Sequence, residues 1–297
     1  MNKVLTRLNY QQRIETVVTY IANNLEQDLE VNQLAEIANF SPYHFHRIYR
    51  EMMLEPVNAT VRRYRLQYAA HQLIRSEQSI VTIAKQVRYG SVEAFSRAFL
   101  KGYGLSPAQY RQQRRNDCHL DDSVASLTRP VLVKENITMY EIEMISLPET
   151  RIIGLDHKGN YMKIGAKFDQ LFMQAGTAGL LAENTRSLGL YFDDPKSVAE
   201  QDLRSAACVT IDEQFFSGGK LDSFIEYLIP AGQYATLLFK GPYAELEKPY
   251  SWMFGEWLPD SGHEAGDFPP IEEYLNDPKE TPPEELLTRI HCLIAAA

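Results

Sequence analysis

The strongest constraint on how this chain folds is a repeat in its first half. The segment LAEIANFSPYHFHRIYREMMLEP can be laid over IAKQVRYGSVEAFSRAFLKGYGLSP. The alignment superposes identical residues, among them Ser41 with Ser91, Phe45 with Phe95, Arg47 with Arg97 and Pro56 with Pro107. Each copy has the pattern of a short helix, a tight turn and a second, amphipathic helix, which is the arrangement of a helix-turn-helix.

The stretch FSPYHFHRIYR, in the first copy, raises the question of a metal site. Ser41 suits a helix cap and Pro42 the first helical turn, so the stretch predicts a helix. On a helix, His44 and His46 lie roughly 200° apart around the axis and cannot share an ion. The helix instead has an apolar stripe, Phe45, Ile48, Tyr49 and Met52, and a basic aromatic stripe, Tyr43, His46, Arg47 and Arg50. The second stripe suits an anionic partner.

The second copy divides in the same way. Its apolar stripe consists of Val92, Phe95, Ala98 and Phe99, and its outward stripe of Glu93, Ser96, Arg97 and Lys101. Between the copies, VNATVRRYRLQYAAHQLIRS contains no glycine or proline and predicts one long linking helix. A helical bundle with a solvated charged face would show the same periodicity, but the matching serine, aromatic and arginine positions favour DNA binding.

Charge separates the two halves of the chain. Residues 1–117 carry 16 Lys and Arg against 10 Asp and Glu, a net charge of +6. Residues 118–297 carry 14 against 29, a net charge of −15. The basic half suits a polyanion, and the acidic half suits cations or serves solubility.

The doubled motif, and above all EAFSRAFLKGYGLSPAQYRQQR, resembles the DNA-binding domain of the AraC family of transcription regulators. The resemblance covers residues 8–115. Arg88 stands where the family usually has glycine, as in the subgroup around the Rob, MarA and SoxS activators. The resemblance implies an all-α double helix-turn-helix domain whose two recognition helices meet base edges in the major groove of double-stranded DNA. The residues at the matching positions are Tyr43, His46 and Arg47 in the first helix, and Val92, Glu93, Ser96 and Arg97 in the second.

The side-chain chemistry fits these positions in part. Arg47 and Arg97 can each donate two hydrogen bonds to a guanine edge. Glu93 can accept from cytosine, or it can stabilise the first helical turn by about 0.3–1 kcal/mol. Four further residues are interpreted as phosphate contacts: Arg50, Arg62, Arg63 and Lys101. Two such helices suit major-groove segments about 34 Å apart, so one chain can do what other regulators need a dimer for.

Residues 116–136 begin with a stretch rich in small, polar and acidic residues, and we interpret them as a linker. A second repeat follows this linker. RIIGLDHKGNY (151–161) recurs as QYATLLFKGPY (233–243), an offset of 82, and LYFDDP (190–195) recurs as EYLNDP (273–278), an offset of 83. Each copy predicts a strand, a helix and two strands. Two β-α-β-β units imply a pseudo-twofold α+β domain over residues 137–297 with a groove along its axis.

This half resembles the GyrI-like effector-binding domains, through FKGPYAELEKPYSWMFGEWLPDSG and PPIEEYLNDPKETPPEELLTRIH. Pro249 departs from the usual pattern and is expected to delay or kink its helix. The resemblance implies an aromatic groove for small, often lipophilic and cationic molecules, with a buried acid at the position of Glu272. If the strand is one residue out of phase, Glu273 takes that place.

The chemistry of a buried carboxylate also favours a cationic ligand. A carboxylate buried without a partner prefers protonation or a bound cation. Aromatic rings near it add about 0.5–2 kcal/mol each through cation–π attraction. The rings within reach by sequence are Tyr243, Tyr250, Trp252, Trp257 and Tyr274, although an aromatic stripe at helical spacing also suits a core.

The leading hypothesis is therefore a multidomain, sequence-specific transcription regulator, an activator type, that senses a small, lipophilic or cationic effector. One alternative is a GyrI-like hydrolase in which Glu272 and Tyr274 act as acid or base. Another is a protein-binding module for a partner such as RNA polymerase. We expect no catalytic residue, cofactor or metal site, because no nucleophile–base pair, ligand spacing or phosphate loop is present. The three scattered cysteines and the lack of a long apolar run favour the cytoplasm over a membrane.

Overall fold

The computed structural model describes residues 3–116, 140–217 and 221–296. Almost all of the predicted linker, and Cys118, lie outside the described residues. The chain divides into two compact units. Unit 1 comprises Met1–Tyr10, Phe40–Glu51 and Lys134–Ala297, and unit 2 comprises Gln11–Asn39 and Met52–Val133. Part of the first predicted recognition helix thus belongs to the same unit as the C-terminal half.

The N-terminal half is helical, as the repeat predicts. Its helices are α1 (Lys3–Asn23), α2 (Val31–Ile37), α3 (Pro42–Met53), α4 (Val57–Arg75), α5 (Ile80–Gln86), α6 (Val92–Tyr103) and α7 (Pro107–Asn116). Helices α2 and α3 form the first pair of the repeat, α5 and α6 form the second, and α4 is the linking helix. In unit 2, Phe95 and Phe99 of α6 are fully buried with Leu73 and Ile83 in one apolar cluster.

The tight turns of the two copies share an unusual backbone conformation. Asn39 and Arg88, which are equivalent in the repeat, have φ angles of 50° and 61°. This left-handed region is open to glycine and tolerated by asparagine, which explains why glycine is usual at the position of Arg88. Arg88 is held there by Asp28, whose Oδ1 accepts from Nε at 3.0 Å.

The C-terminal half of the chain, which belongs to unit 1, is built on one antiparallel sheet. Its strands are β1 (Ile142–Leu147), β2 (Thr150–Lys158), β3 (Ser187–Tyr191), β4 (Arg204–Thr210), β5 (Ile225–Ile229), β6 (Gly232–Lys240), β7 (Ile271–Tyr274) and β8 (Leu287–Leu293). Their order is β1-β6-β8-β7-β3-β4-β2-β5. The order reads as two equivalent halves that meet where β3 pairs with β7. The two β-α-β-β units are confirmed, and one further strand precedes each and pairs with the other unit.

The helices of this sheet are α8 (Gly165–Thr177), α9 (Glu247–Trp252) and α10 (Leu258–Ser261), with a π-helical turn, Met253–Trp257, between the last two. Helix α9 begins at the residue equivalent to Gly165, so the expected delay at Pro249 is wrong. Pro249 lies in the first helical turn, where its missing N–H would have no partner within the helix. Ile153 and Leu171 belong to the apolar cluster that joins α8 to the sheet, and Ile152 and Leu190 belong to a second cluster.

Candidate functional site

A pocket of about 1200 Å³ lies within unit 1. Its walls come from α8, from the ends of β3 and β7, and from the turn and helix that begin at Tyr243. The lining combines apolar groups such as Phe168, Phe172 and Met173 with tyrosines and charged residues. This composition suits a small molecule that is partly apolar and carries one polar or charged group.

Glu272 is the carboxylate of this pocket. It is 4% exposed, and its two oxygens accept hydrogen bonds from the hydroxyls of Tyr250 at 3.0 Å and Tyr274 at 2.9 Å. Burial raises the pKa of Glu272 to about 7, although both hydroxyls and the charge of Arg47 act in the opposite direction. The carboxyl therefore changes its charge near neutral pH, and a bound cation would favour its ionised form.

The neighbouring rings come from both copies of the repeat. The hydroxyls of Tyr191 and Tyr274 lie 2.6 Å apart, and the ring of Tyr191 meets that of Tyr161 edge-on at 4.8 Å. Tyr243 meets Tyr274 at 5.3 Å. Burial raises the pKa of Tyr191 well above its ordinary value and that of Tyr243 to about 12, so both hydroxyls stay protonated.

Five tyrosines line the pocket. Tyr243, Tyr250 and Tyr274 were predicted from the sequence, whereas Tyr161 and Tyr191 were not. The repeat itself carried the missing signal, because Tyr161 matches Tyr243 and Tyr191 matches Tyr274 in the alignment of the two copies.

The tryptophans lie apart from this pocket. Trp252 is buried and meets Tyr140 edge-on at 5.5 Å, and Trp257 stacks on His263 at 6.3 Å. Neither residue is among those that line the pocket. Their predicted ligand role gains no support from this placement.

Glu273, the alternative acid, has a different environment from Glu272. Its oxygens are bound by Arg186 at 2.7 Å, Arg289 at 3.2 Å and His291 at 3.2 Å. Burial opposes ionisation, but the hydrogen bonds from His291 and Arg186 and the charge of Arg186 hold the pKa of Glu273 well below its ordinary value. Glu273 is therefore already neutralised by side chains of the protein.

The basic aromatic stripe of α3 is enclosed within unit 1. Arg47 is 4% exposed and His46 is 9% exposed. Tyr43 lies 6.3 Å from the ring of Phe192, and Arg50 is bound to Asp194 at 2.8 Å. Burial lowers the pKa of His46, which favours the neutral imidazole. In this structure the first predicted DNA-reading stripe therefore contacts C-terminal residues.

Arg47 itself lies on the wall of the pocket. Its guanidinium is 5.2 Å from the centroid of Tyr250 and 5.8 Å from that of Phe254. Nη1 donates to the carbonyl oxygen of Tyr43 at 2.7 Å, and Nη2 donates to that of Asp193 at 2.8 Å. A cation of the protein thus rests on the ring that binds Glu272.

The equivalent stripe of α6, in unit 2, is open. Glu93, Arg97 and Lys101 are exposed, and Val92 and Ser96 are half-buried. Ser91 caps the helix by accepting from the amide of Ala94 at 3.1 Å. A backbone hydrogen bond and a hydrogen bond from Ser91 lower the pKa of Glu93. These contacts fit the role of stabilising the first turn of α6, which the sequence offered as the alternative to a base contact.

Two of the predicted phosphate contacts lie on α4. Arg62 is exposed, whereas Arg63 is half-buried and forms an ion pair with Glu55. Arg62 is thus open to a phosphate, and Arg63 would first have to leave its carboxylate.

Within the described ranges, no group of histidine, cysteine and acidic residues could hold a metal ion. The two described thiols, Cys208 and Cys292, are buried, and burial raises the pKa of both, that of Cys292 to about 12. No helix in the described part of the chain has the length and apolar character needed to span a bilayer.

Two family models match this chain. The model of the GyrI-like small molecule binding domain matches residues 140–293, and that of a helix-turn-helix domain matches residues 34–113.

Each of the curated relatives described next matches half of this chain or less. The chain is 30% identical over 102 residues to the uncharacterized HTH-type transcriptional regulator YbfP of Bacillus subtilis, covering 34% of this chain and 35% of the relative. It is 29% identical over 142 residues to the right origin-binding protein of Escherichia coli, covering 48% and 47%. With the regulatory protein SoxS of Salmonella typhimurium the identity is 28%, over 36% of this chain and 99% of SoxS. The chain thus spans less than half of the length of the first two.

Among solved structures, the crystal structure of the EcmrR C-terminal domain matches with a TM-score of 0.43 at 20% identity, covering 54% of this chain and 99% of that one. The cryo-EM structure of an EcmrR–DNA complex in EcmrR-RPo matches with a TM-score of 0.47 at 20% identity, covering 80% and 85%.

Proposed function

The chain belongs to the family of GyrI-like small-molecule-binding domains, and we propose that it is a sequence-specific DNA-binding transcription regulator that senses a lipophilic cation. The observation that carries the sensing role is Glu272. A carboxylate at 4% exposure, bound by two neutral hydroxyls and surrounded by rings, is a site for a positive charge. The apolar residues of the pocket supply the contacts for the rest of the ligand.

The DNA-binding role is supported by the helix-turn-helix match and by the exposed stripe of α6. Arg97 and Lys101 on this stripe suit a base edge and a phosphate, respectively. Of the relatives, YbfP is an HTH-type transcriptional regulator by name, and SoxS is a regulatory protein by name. We place the regulator in the cytoplasm, where it would meet DNA, and keep RNA polymerase as a partner for its DNA-bound form.

Hydrolysis has no part in the proposal. The hydroxyl of Tyr274 donates a hydrogen bond to Glu272, and burial raises the pKa of this tyrosine well above its ordinary value, so the hydroxyl stays protonated and is a poor nucleophile. The two described thiols are buried and have raised pKa values. The pocket supports binding better than covalent chemistry.

Calorimetric titration with tetraphenylphosphonium tests the sensing role, with triphenylphosphine oxide as an uncharged analogue. We expect saturable binding of the cation that weakens at least about tenfold in Glu272→Gln, which keeps the shape and removes the charge. Glu247→Gln is the matched control, because Glu247 lines the same pocket but is half exposed. Equal binding to wild type and Glu272→Gln would contradict the proposed site.

A further inference from the structure

The position of Arg47 bears on how a cation could enter the pocket. Its guanidinium lies within about 6 Å of two aromatic centroids, the range in which a cation is attracted to a ring face. One of these rings, Tyr250, donates its hydroxyl to Glu272. Tyr250 therefore donates a hydrogen bond to the carboxylate through its hydroxyl and contacts a positive charge through the face of its ring.

The remaining contacts of Arg47 are the kind that another cation could take over. Outside its own helix, its hydrogen-bond acceptor is the carbonyl oxygen of Asp193, at 2.8 Å. The charge of Arg47 also lowers the pKa of Glu272, so the two groups interact electrostatically. A ring face, a carbonyl and a nearby carboxylate together form a subsite for a planar or diffuse cation.

We propose that Arg47 occupies the cation subsite of the effector pocket and that a cationic effector binds by displacing it. This inference rests on the proposed function. Two positive groups cannot share the face of Tyr250, because like charges repel strongly where water is excluded. Effector binding and withdrawal of Arg47 from Tyr250 are then one event.

The displacement links the pocket to the first DNA-reading stripe. Tyr43, His46 and Arg47 lie on the same side of α3, and in this structure they are half-buried or buried within unit 1. An effector that removes Arg47 from its seat makes this stripe available. Because binding linkage is reciprocal, DNA that engages Arg47 should strengthen effector binding by the same factor.

The first test compares tetraphenylphosphonium binding in Arg47→Met and Lys196→Met. Methionine keeps much of the apolar stem and removes the charge. If the internal cation competes, Arg47→Met should bind about tenfold more tightly than wild type. Lys196 lines the same pocket but is half exposed and pairs with the half-exposed Glu247. Its substitution removes an equal charge without leaving a buried carboxylate unpaired, and it should change the affinity by less than about threefold.

Equal gains in both variants would mean that Arg47 repels the ligand only through its general field, and this would overturn the proposal. An unchanged affinity in Arg47→Met would overturn it too, while leaving the sensing role in place. Absence of tetraphenylphosphonium binding by the wild type would remove the sensing role itself and, with it, the displacement.

A second measurement uses the unaltered protein and does not depend on a variant that folds. Phenylglyoxal modifies accessible arginines, and the rate at each site can be followed by mass spectrometry. Saturating tetraphenylphosphonium should raise the rate at Arg47 at least about fivefold as the guanidinium leaves its buried seat. Arg97, exposed on α6, is the internal reference and should react at the same rate with and without the cation. A rate at Arg47 that stays constant or falls would overturn the displacement.

Discussion

Gly189 lies directly opposite Glu272 where β3 pairs with β7, and the two residues hold equivalent positions in the repeat. A Cβ atom on Gly189 would lie 2.7 Å from Cε2 of Tyr191 and 2.9 Å from the hydroxyl oxygen of Tyr274. One copy thus contributes the carboxylate, and the other contributes the space in which two tyrosine hydroxyls meet.

Gly189→Ala should therefore disturb both the stability and the ligand site. The added methyl group must push the tyrosines apart, at a cost of about 1–3 kcal/mol in the free energy of unfolding. Urea denaturation measures this cost. Gly176→Ala, in α8, is the control, because a Cβ there would meet its nearest neighbour at an ordinary 3.6 Å. Equal stabilities for the two variants would contradict the packing argument.

The pKa of Glu272 predicts how stability depends on pH. Its value in the folded protein is about 7, raised from an ordinary 4.5. Between these values the folded state binds the extra proton, so stability is lost as the pH rises through the window. The loss is about 3 kcal/mol. Denaturation from pH 5 to 8 should show this loss in wild type relative to Glu272→Gln, and parallel curves for the two proteins would refute the raised pKa.

The affinity for the cation should rise with pH over the range in which the stability of the protein falls. Because the ligand prefers the ionised carboxylate, tetraphenylphosphonium affinity should rise about tenfold per pH unit below pH 7 and level off above it. Calorimetry in two buffers with different ionisation heats should detect the proton released on binding at pH 6. An affinity that is constant from pH 5.5 to 8 would show that Glu272 does not titrate with the ligand.

Arg97 and Lys101 should affect DNA binding in different ways. Arg97→Ala should cost about 1–3 kcal/mol and relax the preference at one base position, whereas Lys101→Ala should weaken all sequences alike and reduce the salt slope by about one. Selection from a randomised DNA pool at two salt concentrations separates the two effects. A uniform loss in Arg97→Ala would reassign Arg97 to the phosphate backbone.

Ser91 should contribute to the stability of unit 2 through its cap. Its side chain accepts from the amide of Ala94 at 3.1 Å, so Ser91→Ala should cost about 1 kcal/mol in the free energy of unfolding. Ser91→Thr retains the acceptor and is the control. Thermal unfolding followed by circular dichroism measures both, and a stable alanine variant would show that the cap is dispensable.

The sequence predicted those features that local patterns determine. The helix pairs followed from a repeat of spacing and turn residues, whereas Glu272 was implied as the buried acid by the resemblance to the GyrI-like domains. The two tyrosines that were missed were present in the same alignment. Strands β1 and β5 were not predicted. Each lies outside the repeated segment and pairs with a strand of the other unit, β1 with β6 and β5 with β2.

The placement of Arg47 could not be predicted from local pattern. Its stripe on α3 has the periodicity of a solvent-exposed face, and its partner Asp193 lies 146 positions along the chain. Trp257 was assigned to the pocket by extending an α-helical stripe from Tyr250. The wider π-helical turn at Met253–Trp257 breaks that periodicity and turns the ring toward His263.

The π-helical turn also bears on the symmetry between the two copies of the repeat. Tyr161 and Tyr191 are separated by 30 positions, and their counterparts Tyr243 and Tyr274 by 31, so the later copy holds one additional residue. The turn provides a place for it within the helix, which leaves β7 in register with β3. The difference of one residue between the copies therefore leaves the carboxylate of Glu272 in the position facing Gly189.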